Sequence, residues 1–341
     1  MPQATLLFND GATTFIDVRP QETLLDAAFR HGIPLPADCR EGVCGTCRGL
    51  CEAGKIHMDY ADEEAVPEAE RAAGIMLACQ TRLDSDARFR FDVDRSRCKV
   101  NALRLNATVV DARAVSAAAT LLTLALPETM DFGKVAWLPG QYARLHVPGS
   151  SAVRAYSFLR SRLRGNTLEF LIRLLPEGAM SDYLRGRCRP GDVIALELPF
   201  GAFYLRQADR PLVLLAGGTG LSAILSMLET LASNATPHVL PIHVIYGVQT
   251  PADISLLHEL QGYAAVFPHF QLDIVVTRAE SGWTGKTGYV TTALQKETLQ
   301  QPFDAYLCGP PPMIAAVQQW FLEANGEIAE HRIYFEKFVA S

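Results

Sequence analysis

Four cysteines fall within thirteen residues in CREGVCGTCRGLC, 39–51, of a chain that carries eight, the others at 79, 98, 188 and 308. Thiolates at this density either pair as disulfides or hold a soft metal. The N-terminus, MPQATLLFNDG, has neither the basic start nor the apolar run of a signal peptide, which points to a reducing cytoplasm where disulfides are rare. Structural zinc usually takes its cysteines as two separated C-x2-C pairs. Cys39, Cys44 and Cys47 instead follow C-x4-C-x2-C, the spacing of a 2Fe-2S cluster with a distant fourth ligand. Gly42 and Gly45 suit a loop that must turn its backbone N–H groups towards anionic sulfurs. Beyond the loop, CRGLCEAGKI reads as a strand ending at Gly54, four residues of which carry Cys51 roughly 13 Å from Cys47. Cys79, in GIMLACQTRL, is then the fourth ligand, while Cys51, Cys98 and Cys188 are expected as small buried apolar groups.

A second set of chemistry-bearing residues lies in RAYSF, 154–158. On a strand, Arg154 and Tyr156 point to one side and Ala155 and Ser157 to the other. A cofactor with a charged diphosphate, a flat ring and a ring nitrogen needing a hydrogen bond would use all of Arg, Tyr and Ser. Downstream, GAMSDYL places Ser181, three residues after Gly178, as the N-cap of a helix whose start could hold a phosphate. A third set sits in PLVLLAGGTGLSAILSMLETLA: an apolar strand, the turn Gly217, Gly218, Thr219, Gly220, and a helix, an arrangement that meets a pyrophosphate with backbone N–H groups. Residues 211–228 carry no charge, but the central glycines and Glu229 argue against a membrane span.

These residues need elements to position them. At 341 residues the chain is long for one domain, so two or three are expected. Its net charge of -6 gives no positive field for nucleic acid. Through residue 100 there are 17 acidic and 12 basic residues, and DEEAVPEAE, 62–70, holds five acids and no base, a face able to steer a redox partner. RSRCKVNALR, 95–104, suits a linker. After it NATVVDARAV, TLLTLAL, QYARLHV, TLEFLIRLL and DVIALEL are short Val, Leu and Ile runs between Pro, Gly and Asp turns, as in an antiparallel barrel or sandwich. The last third alternates strands at IHVIYGV, LDIVVT and AYLCGP with helical stretches, which predicts a doubly wound parallel sheet.

Residues 1 to about 97 resemble a plant-type ferredoxin, including the lead-in ETLLDAAFRHGIPLPADC. R-x-Y-S followed by G-x-x-S resembles the flavin-binding domain of the ferredoxin-NADP reductase superfamily, and AGGTG, CGPPPM at 308–313 and IYFEKF resemble its nicotinamide-binding and closing segments. The resemblance implies three domains: an α+β, β-grasp-like ferredoxin domain over 1–97, an antiparallel β-barrel binding FAD over 102–207, and an α/β doubly wound domain binding the nicotinamide over 208–341. It implies that Arg154 and Ser181 contact the FAD diphosphate, that Tyr156 covers the isoalloxazine and that Ser157 approaches its N5. Cys308 and Glu336 would lie near the nicotinamide C4, beside Gly309 and Pro310, with Phe335 or Phe338 shielding the flavin.

The choice between NADH and NADPH is one of charge, because a 2′-phosphate wants a base and a bare 2′-hydroxyl is often met by an acid. YGVQTPAD offers Asp253, which favours NADH; Thr277, Arg278 and the nearby Lys286 resemble the Ser-Arg pair of the NADP-using branch. Over its whole length the chain resembles the reductase components of bacterial aromatic-ring dioxygenases, closest to those of the benzoate, toluate and anthranilate 1,2-dioxygenases. That implies a cytoplasmic oxidoreductase passing electrons from NADH through FAD and a 2Fe-2S cluster to a terminal Rieske-type oxygenase, with no nucleic-acid or membrane partner. The same domain order serves diiron monooxygenases, and a non-catalytic metal-binding or redox-sensing protein is the reading from another class.

Overall fold

The computed structural model describes all residues except 34, 38–41, 43, 44, 64, 99–102, 235–237, 296–301, 326–331 and 339–341. It divides into two compact units, one formed by residues 1–102 with 200–202, the other by 103–199 with 203–341.

The first unit is built on a hairpin of β1 (Gln3–Phe8) and β2 (Thr13–Asp17). Helix α1 (Leu24–Arg30) follows, opened by Thr23, whose side chain accepts from the Asp26 N–H. Then come β3 (Arg48–Ala53), β4 (Ile56–Met58), the short helix α2 (Glu68–Ala72), β5 (Ile75–Leu77), β6 (Thr81–Leu83) and β7 (Ala87–Phe91). The sheet order is β2-β1-β7-β3-β5, with β1 parallel to β7 and β3 antiparallel to both neighbours, while β4 and β6 form a separate pair. Period-two patterning does the sorting. In β7, Ala87, Phe89 and Phe91 turn inward while Arg88 and Arg90 reach out to Glu52. Leu24, Leu25, Ala27 and Ala28 of α1 close the core over that face, giving the β-grasp-like domain the sequence implied.

In the second unit, β8 (Leu103–Ala114), β9 (Ala119–Ala125), β10 (Tyr142–His146), β11 (Val153–Ser157), β12 (Thr167–Arg173) and β13 (Val193–Phe200) take the order β11-β10-β13-β8-β9-β12. A Phe158–Phe170 bridge joins the two ends and nearly closes a barrel around Leu122, Leu124, Phe158, Phe170 and Leu196. The one-turn helix α3 (Ala179–Asp182) lies between β12 and β13.

The same unit continues with β14 (Leu212–Gly217), α4 (Leu221–Ser233), β15 (Ile242–Val248), α5 (Leu257–Gly262), β16 (Phe270–Val276), β17 (Lys286–Thr287), β18 (Asp304–Gly309), α6 (Pro311–Asn325) and β19 (Arg332–Lys337). These six strands are parallel, in the order β17-β16-β15-β14-β18-β19. The chain winds outward from β14, then returns to β18 on its other side, so the crevice beyond the carboxyl ends of β14 and β18 is the switch point where such sheets bind ligands. The uncharged run 211–228 is a buried strand, a glycine turn and a buried helix, and among the described residues no helix is long and apolar enough to cross a membrane.

Candidate functional site

Cys39 and Cys44 lie outside the described residues; Cys47 and Cys79 are both buried. The β3–β5 ladder pairs Arg48 with Leu77, and the Ala78 N–H donates to the Cys47 carbonyl at 3.0 Å. Cys79 is thereby held beside Cys47 although 31 residues separate them in the chain. Cys51 sits farther along the strand, the fourth of its six residues, with its N–H on the Gly74 carbonyl. Gly42 and Gly45 have φ of +82° and +75°, and a Cβ on Gly42 would come 2.8 Å from the Tyr60 carbonyl oxygen. Only glycine takes that conformation at that approach without strain. The acidic segment is tied to this loop: the Asp62 N–H donates to the Gly42 carbonyl, and Arg48 bonds both the Ala65 carbonyl and Glu70. Among the described residues no three ligating side chains gather, since two of the four expected cysteines lie outside them. Two buried thiols held together, beside a buried Thr46 Oγ1 that has no hydrogen-bond partner, are donors of the kind a 2Fe-2S cluster takes.

In the barrel, β11 alternates as its sequence requires: Ala155 is exposed, Arg154 and Tyr156 are half-buried, and Ser157 is 4% exposed. Tyr156 packs against the barrel core, and burial, partly offset by Arg154, pushes its phenol up. The Ser157 Oγ is buried with no hydrogen-bond partner, a cost of about 1–3 kcal/mol unless a ligand meets it. Ser181 departs from expectation. Gly178 is the N-cap of α3, Ser181 is its third residue, and the Ser181 Oγ accepts the Leu175 N–H at 2.8 Å. Glycine takes the cap because the chain enters the helix from Glu177 at φ +55°, and the serine side chain, one turn on, folds back to the preceding loop. Its hydroxyl keeps one donor for a ligand.

At the switch point, Gly217 ends β14 and the turn Gly218, Thr219, Gly220 leads into α4. A Cβ on Gly220 would stand 2.1 Å from the Cys308 carbonyl oxygen, and one on Gly217 would strike Pro310 and Met313. Gly218, at φ +55°, has nothing within 4 Å of its Cβ position, so this side of the turn is open as a pyrophosphate cradle must be. Cys308 is fully buried and pairs in register with Glu336. Burial pushes its thiol well up, and the Glu336 carboxylate adds to the effect. Gly309 and Pro310 follow it, and the Gly309 carbonyl accepts the Phe338 N–H at 2.9 Å. The two phenylalanines separate by face. Phe335 packs with Val213, Leu215 and Leu307, whereas Phe338 packs on the side that holds Cys308 and Tyr306.

Asp253 is not an open acid. Its carboxylate accepts both the N–H and the Oγ1–H of Thr250 at 2.9 Å, closing a capping box over Pro251–Asp253. Arg278 is held by Gln249, through its guanidinium to the amide oxygen and through its N–H to the carbonyl, and Lys286 pairs with Asp273.

One feature has no counterpart among the sequence motifs. The loop directly after β11 carries Arg160, Ser161 and Arg164, and it grips the helices of the nucleotide sheet. Arg160, 8% exposed, bonds Glu169 at 2.6 Å and also Glu259 of α5. Glu229 of α4 accepts from the Ser161 N–H, the Ser161 hydroxyl and Arg164. The strand bearing Arg154, Tyr156 and Ser157 is thus fastened to the helix that begins at Gly220.

Comparison with known proteins follows the same divisions. Residues 7–84 match the 2Fe-2S iron-sulfur cluster binding domain, 106–204 the oxidoreductase FAD-binding domain, and 214–319 the oxidoreductase NAD-binding domain. The flavin and nucleotide domains set aside a non-catalytic metal-binding module. The anthranilate 1,2-dioxygenase electron transfer component of Acinetobacter baylyi is 47% identical over 337 residues, covering 98% of this chain and 97% of that protein. The toluate 1,2-dioxygenase electron transfer component of Pseudomonas putida is 42% identical over 337 residues, with the same coverage of each. Among solved structures, an Amycolatopsis cytochrome P450 reductase superposes with a TM-score of 0.71 at 29% identity, over 98% of this chain and 99% of that one. With three cofactor-binding domains in this order and near-complete coverage at that identity, the chain belongs to the family of 1,2-dioxygenase electron transfer components, oxidoreductases that use FAD, a 2Fe-2S cluster and a nicotinamide dinucleotide.

Proposed function

We propose that this chain is the cytoplasmic reductase of a terminal Rieske-type aromatic-ring dioxygenase of the benzoate or anthranilate kind, drawing electrons from NADH and handing them on one at a time. Three segments share the work, with 1–97 serving the cluster, 102–207 the flavin and 208–341 the nicotinamide. When bound, FAD supplies a two-electron acceptor and the 2Fe-2S cluster a one-electron donor. The residues supply position, dryness and charge. Cys39, Cys44, Cys47 and Cys79 ligate the cluster. Arg154 and the free donor of Ser181 hold the FAD diphosphate, Tyr156 lies against the isoalloxazine, and the Ser157 hydroxyl donates to N5. Gly217, Gly218, Thr219 and Gly220 give the dinucleotide its backbone cradle. Cys308, Gly309, Pro310 and Glu336 line the nicotinamide face, and Phe338, on the Cys308 side of β19, shields the flavin in preference to Phe335. The NAD-binding domain match supports a nicotinamide dinucleotide as donor; NADH in particular is part of the proposal, and Asp253, committed to Thr250, lends it no support.

The observation that carries this reading is the buried, unpartnered Ser157 hydroxyl on a strand whose loop is fastened to the helix leaving an open glycine turn. Both cofactor sites belong to one unit. The test is reconstitution with a purified anthranilate 1,2-dioxygenase oxygenase, following NADH consumption against loss of anthranilate. Coupled turnover supports the reading. Coupling to a diiron hydroxylase and to no Rieske oxygenase overturns it.

A further inference from the structure

The barrel and the nucleotide sheet meet over an apolar contact, in which Leu121, Leu159 and Leu171 of the barrel share one buried core with Leu225 and Leu228 of α4. Apolar burial is non-directional, so it holds two layers together without fixing their register. Polar bonds fix it at two places. At the first, the Ala117 N–H of the β8–β9 turn donates to the Ala252 carbonyl at 2.9 Å, and the Ser255 hydroxyl donates to the Ser116 Oγ at 2.9 Å. At the second, the Arg160 Nε donates to Glu169 of β12 at 2.6 Å, and its two terminal nitrogens donate to the two carboxylate oxygens of Glu259 on α5. Beside it Glu229 of α4 accepts from the Ser161 N–H, the Ser161 hydroxyl and Arg164. The loop is itself pinned to the barrel, with the Trp137 indole N–H on the Arg160 carbonyl at 2.7 Å.

Arg160 is 8% exposed between its two carboxylates. A buried ion triad is often no more stabilising than apolar side chains of the same volume, and what this one supplies is direction, because a planar guanidinium bonded twice to one carboxylate has one geometry. That direction joins the two cofactor sites. Ser157 stands three residues before Arg160, and Gly220 stands nine residues before Glu229 at the start of one helix, about 14 Å away along its axis. We propose that Arg160, with Glu259 and Glu229, sets the register between the flavin strand and the glycine turn, and so governs the rate of hydride transfer without contributing to the affinity for the nicotinamide dinucleotide. The proposal rests on the cofactor reading given above. In the step concerned the nicotinamide C4–H bond breaks and its hydrogen passes with the electron pair to the flavin N5, forming an N–H bond; NADH leaves as NAD⁺ and FAD is reduced. Such a transfer needs its reacting atoms roughly 3–3.5 Å apart, and a 1 Å misplacement costs about a hundredfold in rate. The pyrophosphate, by contrast, is met by the glycine turn within the sheet, so affinity survives a shift that the rate does not. Each nitrogen of the Arg160 guanidinium is committed to a carboxylate of the protein, which makes Arg160 a positioning residue.

The experiment is anaerobic stopped-flow mixing of the full-length holoprotein with NADH, for the unsubstituted chain, Arg160→Met, Glu259→Gln and the double variant. Two readouts stand beside the rate: the NAD⁺ dissociation constant from titration calorimetry, and the long-wavelength charge-transfer absorbance of reduced flavin with NAD⁺. Arg160→Met is expected to lower the limiting rate of flavin reduction about tenfold, the loss for a displacement of about half an ångström, and to weaken the charge-transfer absorbance, with the NAD⁺ dissociation constant within about twofold. Glu259→Gln, whose amide oxygen still accepts one N–H, loses about threefold in rate at unchanged NAD⁺ affinity. The double variant is no slower than Arg160→Met, because both substitutions remove one interaction. A limiting rate for Arg160→Met within about twofold of the unsubstituted protein overturns the proposal, as do equal losses of rate and NAD⁺ affinity or losses that multiply in the double variant. Should Arg160→Met purify without flavin, Glu259→Gln carries the same comparison. An unsubstituted protein that binds no FAD overturns the cofactor reading itself, a failure distinct from that of the proposal.

Discussion

Gly218 and Gly220 stand two residues apart in one turn, and the structure assigns their alanine variants different consequences: a packing clash at Gly220, and at Gly218 backbone strain with a loss of NAD⁺ affinity. Gly220 has φ -57° and ψ -16°, ordinary helical values, so on backbone preference alone alanine would be favoured there by about 1 kcal/mol. Its Cβ, however, would stand 2.1 Å from the Cys308 carbonyl oxygen and 2.7 Å from the carbonyl carbon, where real contacts stay above 3.0 Å. The atoms struck are backbone of β18, the strand paired with β14 at the centre of the sheet, so relief requires the two turns to part by almost an ångström. Forced overpacking of this kind costs about 1–3 kcal/mol, which for a unit of this size lowers Tm by roughly 2–12 °C. Gly218 presents the reverse case. Its Cβ meets nothing, and the cost of Gly218→Ala is the left-handed conformation alone, about 1–2 kcal/mol. Its methyl projects into the open cradle, so NAD⁺ affinity falls by about tenfold or more if a group worth about 1.4 kcal/mol is displaced from its place. Differential scanning calorimetry with NAD⁺ titration calorimetry on both variants reads the two effects separately. A Gly220→Ala protein that melts at or above the unsubstituted temperature, or a Gly218→Ala protein that binds NAD⁺ undiminished, refutes the reasoning.

Three further outcomes follow from individual contacts. Cys79→Ser abolishes the 2Fe-2S absorbance and electron paramagnetic resonance signal while Cys51→Ser leaves both, as checked by iron and sulfide content per chain; loss in Cys51→Ser would contradict the ladder geometry. Glu229→Ala strips partners from Ser161 and Arg164 in the contact between loop and helix, and urea denaturation should show the second unit weakened by about 2–3 kcal/mol. Asp304, fully buried with neither carboxylate oxygen hydrogen-bonded and Arg332 no nearer than 3.6 Å, has its pKa raised above 3.8 by burial. A raised folded-state value means the neutral form suits the fold, so its stability contribution is present below the unfolded pKa and is lost as pH rises through the folded one. Asp304→Asn therefore melts higher than the unsubstituted protein at pH 7.5, with the gain vanishing as pH falls towards 3.8, and a gain that does not depend on pH would exclude this cause.

Local patterns carry most of what is legible in the chain. The cysteine spacing, the alternation of RAYSF and the glycine turn each lie within a few residues, and each specifies its own backbone. Two other signals are local as well, but the structure puts them to a different use from the one expected. T-P-A-D at 250–253 is a capping-box pattern, and Asp253 serves that cap and is not an open acid. Gly178 is the stronger cap candidate because it starts the turn, whereas Ser181 lies inside it. Phe335 and Phe338 separate by parity, since period two puts Phe338 with Tyr334 and Glu336 and sets Phe335 apart. The Arg160, Glu229 and Glu259 contacts are not legible. They join residues 68 and 99 apart, and nothing local marks a charged residue whose partner is supplied by another layer of the fold.

The central claim, that NADH feeds a flavin and then a 2Fe-2S cluster within this chain, is tested most directly by an anaerobic NADH titration of the purified protein. Flavin bleaching is followed by visible absorbance and the reduced cluster by electron paramagnetic resonance. Both centres are expected to reduce, with a rhombic signal that is missing in Cys79→Ser. A protein without flavin, or one whose cluster stays oxidised under NADH while zinc occupies the cysteines, contradicts the claim.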